Sequence, residues 1–359
     1  MSTHILRYAF TFWVLTFLSL TSTGNSQRAP LDPSHNVGVE TCRDCHGSIV
    51  DSWERSSHAT AFSTLANSAA AAQMAQFIGI KPASITTNAS CVRCHFTQEK
   101  LASAVQTTAA VSCESCHGGA EQWIDVHNSK SHSRKERIDM ASALGMNHPA
   151  TVYATAKACF ECHVVDDEQL VNKAGHPALS PGFELLSWYS GEVKHNFLVS
   201  KEGKPVKSNG REQQEIPAPR KRMIFLTGKM LQLAHSLRAV GCSMDAPVDK
   251  AGKLVLLPNG LPTFAVQHAQ TVQRVLADMR GYQAKLSIPE YAQAIGIADS
   301  VPLSTGHCEE LAGAAKEIER LAEQFAKNND GGKFAALDEV IANLHPPEQN
   351  ATKTKFAER

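Results

Sequence analysis

The chain has 359 residues, room for two modest domains or one domain with appendages. Its 43% hydrophobic content suits a globular protein, and 35 basic against 35 acidic residues exclude the basic footprint of a nucleic-acid binder. Aromatic residues are only 6% while histidine occurs 16 times, a composition suited to a core borrowed in part from a flat apolar cofactor.

In chain order, Arg7 precedes the apolar run "YAFTFWVLTFLSL", followed by the small polar residues "TSTGNSQ". This is the pattern of a secretory signal, with cleavage expected between Gly24 and Ser26. Residues 1–26 are therefore read as a signal peptide and the mature protein as periplasmic or otherwise exported. The alternative is an uncleaved membrane anchor, although the run of 13 residues falls short of the roughly 20 that span a bilayer.

Eight of the ten cysteines form four Cys-x-x-Cys pairs: Cys42/Cys45, Cys91/Cys94, Cys113/Cys116 and Cys159/Cys162. The interval between the second and third pairs would also suit a four-cysteine zinc ribbon. Every pair, however, is followed at once by a histidine: His46, His95, His117 and His163. With histidine at about one position in 22, four such coincidences have a chance on the order of a few in a million. A zinc ribbon has no use for that residue. A c-type haem does, because the thiols add to its vinyl groups and the adjoining imidazole binds the iron. The sequence therefore predicts four covalently attached haem c groups.

Sixth iron ligands come from the histidines around these motifs: His35, His58, His127, His132, His148, His176 and His195. Methionine is the other common choice, but nothing around Met74, Met140 or Met146 favours it over apolar packing. From Cys42 to His195 there are 154 residues for four haems, so the macrocycles become the core. The 17 residues between His95 and Cys113 are expected to hold only short helices and turns. Close haems in little protein suit electron transfer.

The segments "ETCRDCHGSIVDSWERSSHATAF", "CVRCH", "VSCESCHGGAEQWIDVH" and "ACFECH" resemble, in order, the four haem segments of the tetrahaem cytochrome c-554 family. The resemblance runs from Val39 to His163. His58 lies 12 residues after His46 with Trp53 between them, and His127 lies 10 residues after His117. The resemblance thus implies that His58 and His127 are distal ligands and that Trp53 packs on a porphyrin face. It also implies a compact, mostly helical fold with haems in close pairs. Its members pass electrons from a nitrogen-oxidising multihaem enzyme to downstream carriers. In that family the second haem lacks a protein sixth ligand; here it would be the one held by Cys91, Cys94 and His95.

Beyond His163 the sequence departs from that pattern. His176 in "GHP" and His195 in "VKHNF" sit beside apolar and aromatic residues, as further ligands or as buried histidines bonded to backbone. If both bind iron, the open site disappears. His148 and His132 stand behind them. The basic segment around His132 reads as a solvated loop, or as a patch that neutralises propionates or steers an acidic partner.

The stretch 197–216 reads as a short hairpin turning at Glu202-Gly203 and a polar linker. Four helical patterns follow: "MIFLTGKMLQLAHSLRAVG", "FAVQHAQTVQRVLADMRGYQAKL", "HCEELAGAAKEIERLAEQFAKNN" and "FAALDEVIANL". They suggest a four-helix bundle or a helical cap. His235, His268 and His307 take core or surface roles, and Cys242 and Cys308 form either a disulfide or two buried thiols.

The fold class is therefore mainly α, a tetrahaem cytochrome c domain over 27–215 followed by a helical-bundle domain over 216–359. The function read from it is a carrier between redox proteins, its electron donor and acceptor. No nucleic acid is involved, and membrane contact arises only through an uncleaved N-terminus. The alternatives are a multihaem reductase acting on a small nitrogen oxide at a five-coordinate haem, and a docking subunit of a larger redox complex.

Overall fold

A computed structural model describes residues 31–191, 207–208, 211–212, 216–245, 248, 253–257 and 260–344. The proposed export signal, His195 and the expected turn at Glu202-Gly203 lie outside the described residues. The protein is mainly helical.

Its first part consists of short helices: α1 Val39–Trp53, α2 Ser57–Ala66, α3 Ala69–Phe77, α4 Ala89–His95, α5 Cys113–His117, α6 Ile124–Asn128, α7 Arg134–Ala143, α8 Val152–His163, α9 Glu168–Asn172 and α10 Leu185–Gly191. Local chemistry starts many of them. Ser56, Ser68, Asn88 and Asp167 each accept a backbone N–H at a helix start, and Ser133 with Glu136 forms a capping box. Three of the four Cys-x-x-Cys-His motifs end a helix, with His95, His117 and His163 as the last residues of α4, α5 and α8. The fourth sits at a kink: His46 leaves helical geometry inside α1 at φ −117° and ψ 33°.

One expectation is overturned here. The stretch between the second and third motifs is not limited to short helices and turns. It holds an antiparallel hairpin, β1 Thr97–Leu101 and β2 Ala104–Ala109, with Leu101 opposite Ala104 and Lys100 opposite Val105. Threonine and valine in "AVQTTA" favour a pleated ribbon, and Ala102 at φ 54° turns the chain. A second, minimal ladder pairs β3 Lys207–Ser208 with β4 Arg211–Glu212.

The C-terminal part is built around α11 Ala218–Cys242, with α12 Phe264–Leu286, α13 Pro289–Asp299 and α14 Cys308–Asn328. α14 has the apolar face that its sequence shows: Leu311, Ala314, Ala315, Ile318, Leu321, Ala322 and Phe325 are all buried. α11 is buried nearly all round because it has neighbours on every side, α14, α12, α8 and α10. Leu226, Leu231 and Leu233 are completely enclosed there, each burial stabilising the fold by about 1.5–3 kcal/mol. Two details differ from the sequence reading. α13, opened by Pro289 at its first turn, is an additional helix. The fourth expected helix is instead a 3₁₀ segment, Gly332–Leu337, running into the short α15 Asp338–Ala342.

The haem-motif helix α8 shares this core, with Ala156 and Phe160 packed in one cluster with α11, α12 and α14. By contrast, the cores around α3–α4 and around α5–α7 hold four buried residues each, Ala75, Ile85, Val92 and Phe96 in one and Ala120, Trp123, Ala141 and Met146 in the other. Cys242 and Cys308 form a disulfide with a Cα–Cα distance of 4.2 Å, joining the end of α11 to the start of α14. Among the described residues, no helix is long and apolar enough to cross a membrane.

Candidate haem-binding centres

Two cysteines three apart in a helix share a face, and a histidine in the next position leaves the helix end on the same side. Each motif therefore offers two thiols and an imidazole from one short segment. None of the eight motif cysteines forms a disulfide among the described residues. Among the described residues, the cysteines of the second and third motifs form no cluster able to hold one metal ion, as a zinc ribbon would require. Instead the Cys94 and Cys162 thiols are close neighbours, as are those of Cys42 and Cys113. The motifs thus associate as two pairs, first with third and second with fourth.

Histidines from elsewhere in the chain face three of the motif imidazoles. The rings of His46 and His127 are 6.1 Å apart between centroids, those of His58 and His163 are 6.1 Å apart, and those of His95 and His176 are 6.2 Å apart. Metal–imidazole bonds of about 2.0–2.1 Å, with each ring centre about 1.1 Å further on, set two axial imidazoles roughly 6.2 Å apart. The spacing therefore fits an iron between each pair. His95 comes from the end of α4 and His176 from the turn after α9; His58 lies in the first turn of α2; His127 lies in α6.

Hydrogen bonds aim several of these rings. His117 donates from Nδ1 to the Asn147 carbonyl at 2.8 Å, His163 is 2.8 Å from Ser180 Oγ through Nδ1, and His176 donates from Nδ1 to the Pro177 carbonyl at 2.8 Å. A carbonyl only accepts, so Nδ1 of His117 and His176 carries the proton and Nε2 is left to bind a metal. His148 is set up the other way. Its Nδ1 accepts from the Ala150 N–H at 3.0 Å, which places any neutral-ring proton on Nε2. His132 is turned to Ser129 Oγ through Nδ1.

Burial keeps these imidazoles neutral, the form an iron ligand needs. Desolvation, with His176 and His58 nearby, pushes His95 down to about 4. Desolvation, with His58 and His95 nearby, pushes His163 down to about 3. Burial also lowers His46, His117, His127 and His176. The fourth motif is further enclosed by aromatic side chains: Phe183 stacks on His163 at 4.3 Å and Trp188 meets it edge-on at 4.9 Å. Trp53, expected against a porphyrin face, donates from its indole to the Val111 carbonyl at 2.8 Å.

The remaining histidines have roles of their own. His268 is fully buried with Nε2 3.0 Å from the Val165 carbonyl. His235 stacks on Phe160 beside Glu319, and His307 lies at the surface next to Glu310.

Several residues around the motifs were not singled out from sequence. Asn147 clamps the third motif, accepting from His117 and donating its own N–H to the His117 carbonyl and its side-chain amide to the Cys116 carbonyl. Ser180 and Pro177 aim His163 and His176. Glu114, inside the third motif, is 2% exposed and accepts the N–H groups of Val37, Gly38 and Ala120. Burial, with the nearby Glu99 carboxylate, holds it above the usual carboxylate range, and those three N–H groups offset part of that rise. Arg93, inside the second motif, is 6% exposed in its side chain and pairs with Asp166 at 3.1 Å. Pro177 adjoins His176 in the chain, whereas Asn147, Ser180, Glu114 and Arg93 have partners 17 or more residues away and so leave no local signal.

Residues 41–118 match the family model described as cytochrome c554 and c-prime. The matched stretch contains the first three attachment motifs, and it supports a c554-type multihaem cytochrome family. That family carries covalently bound haem c, works in electron transfer and has redox proteins as partners. No curated protein matches the chain, and no solved structure does.

Proposed function

We propose that this c-type cytochrome of the c554 kind is an exported, periplasmic tetrahaem carrier that exchanges electrons with two redox proteins and has no open iron at its second site. Haem c, once attached, supplies a one-electron ferric/ferrous couple. The protein's part is to hold, orient and enclose it.

Cys42/Cys45, Cys91/Cys94, Cys113/Cys116 and Cys159/Cys162 form the thioethers, and His46, His95, His117 and His163 are the proximal ligands. His127 serves the first site, His176 the second and His58 the fourth. His195, outside the described residues, is assigned to the third. The observation that carries this reading is the recurrence of a 6.1–6.2 Å ring spacing at three motifs. The reductase alternative needs a free position opposite His95, where the ring of His176 stands 6.2 Å away. Phe183 and Trp188 pack against His163, an apolar enclosure that favours reversible electron exchange over ligand chemistry.

A docking role for the helical part has an observation of its own. Exposed apolar side chains gather in the connection between α11 and α12: Met244, Val248, Leu254, Leu256 and Leu261. They sit in a connecting segment and form no stripe along a helix.

The test of the carrier reading is rapid mixing of the reduced holoprotein with an oxidised monohaem cytochrome, and separately with nitric oxide or hydroxylamine. Fast oxidation by the cytochrome, with no nitrogen-oxide turnover, is the expected result. Steady consumption of a nitrogen oxide at a rate beyond free haem would contradict it.

A further inference from the structure

Glu114 lies between the two cysteines of the third motif, yet its side chain serves the first. Oε1 accepts the N–H of Val37 at 2.9 Å and of Ala120 at 2.9 Å, and Oε2 accepts that of Gly38 at 3.0 Å. Val37 and Gly38 lead directly into α1, where Gly38 is the N-cap residue, so the carboxylate caps the helix that carries Cys42 and Cys45. Three backbone donors converge on its two oxygens, an arrangement suited to the ionised carboxylate. The group is 2% exposed, and its charge acts on the sulfurs of both Cys42 and Cys113. These sulfurs belong to different haem sites and are close neighbours. Among the described residues, the counterpart at the second and fourth sites is the Asp166 carboxylate, and there the Arg93 guanidinium pairs with it at 3.1 Å.

We propose that Glu114 is a positioning residue that locks the first and third attachment motifs in register and lowers the reduction potentials of the haems they carry. A ferric site bears one more positive charge than a ferrous one, so a fixed, poorly screened negative charge nearby favours the ferric state. A unit charge about 10 Å away in an effective dielectric of about 20 alters a one-electron equilibrium by roughly tenfold, or 59 mV. The same carboxylate spares three backbone donors from being buried unpaired, which is why a merely structural variant must be told apart from an electrostatic one. This role rests on the tetrahaem reading above.

The test compares the wild-type holoprotein with Glu114→Gln and Glu114→Asp, using mass to count haems and an optically monitored redox titration to read midpoints. Glu114→Gln removes the charge and turns an amide donor toward backbone donors. Two of the four midpoints should rise by about tenfold in the ferric/ferrous equilibrium, with the other two unmoved. Glu114→Asp keeps the charge and should leave all midpoints within about threefold of wild type, at lower thermal stability. Unmoved midpoints in a fully loaded Glu114→Gln protein would overturn the proposal, as would equal displacement in both variants. If Glu114→Gln fails to mature, Glu114→Asp decides: a full haem complement with near wild-type midpoints supports the role, and loss of haem or displaced midpoints overturns it. A wild-type mass other than that of four haems sinks the tetrahaem reading instead, so the two failures are distinguishable.

Discussion

The stretch from α1 to α7 and the bundle of α11 to α14 solve the same problem in opposite ways. The bundle fills its centre with its own side chains, a continuous cluster from Met223 to Leu337 that includes Phe225, Met230, Tyr291 and Phe325. The motif region has only the two small clusters around Phe96 and Trp123, and its helices run five to fifteen residues. Helices that short do not hold in isolation. What that region has instead is facing imidazoles and paired motif cysteines, a core designed around something flat. Helix α8 belongs to both, burying Ala156 and Phe160 in the bundle while ending in His163.

The largest effect that could break this contrast is omission of haem. In a chain expressed without haem attachment, hydrogen exchange should show α1 to α7 unprotected and α11, α12 and α14 still slow. Uniform protection across both regions would erase the distinction. Next in size, Phe325→Ala removes a fully buried ring and should cost the bundle about 3–5 kcal/mol in chemical denaturation, with the haem optical spectrum unchanged. Replacing Cys242 and Cys308 by serine should cost about 2–4 kcal/mol, again read by denaturation of the bundle.

The smallest effect is a pH dependence. His268 is fully enclosed and pushed down to about 4, chiefly by desolvation. Its folded-state pKa lies below the unfolded value of about 6.5, so the unfolded chain takes up the proton first. Stability from this group is intact above about pH 6.5 and declines as the pH falls toward 4, by at most roughly 1.4 kcal/mol per pH unit. His268→Gln, which can still donate to the Val165 carbonyl, should flatten that slope in urea titrations at stepped pH.

What could be read from the sequence follows the same division. The motifs were legible because thioether attachment demands fixed neighbours in the chain, and α14 because its apolar residues repeat at helical spacing. The resemblance points to His58 and His127, and apolar surroundings point to His176, each as an expected ligand. Its pairing with His95 was not legible, because 80 residues separate them in the chain. The hairpin of β1 and β2 is not legible, because so short an interval between two motifs favours short helices and turns on sequence grounds. α13 was missed although Pro289, followed by Tyr291, Ala294 and Ala298 on one buried face, carried a usable signal. Asn147, Ser180 and Glu114 had none, since a hydrogen bond to a distant carbonyl or N–H leaves no pattern in the local sequence.

The most direct test of the central claim is an electron paramagnetic resonance spectrum of the fully oxidised holoprotein, recorded with and without nitric oxide. Filled axial positions at every site predict only low-spin ferric signals that the gas leaves unchanged. A high-spin ferric signal that nitric oxide abolishes would contradict the account, and its persistence unchanged in His176→Ala would place that open iron at the second site.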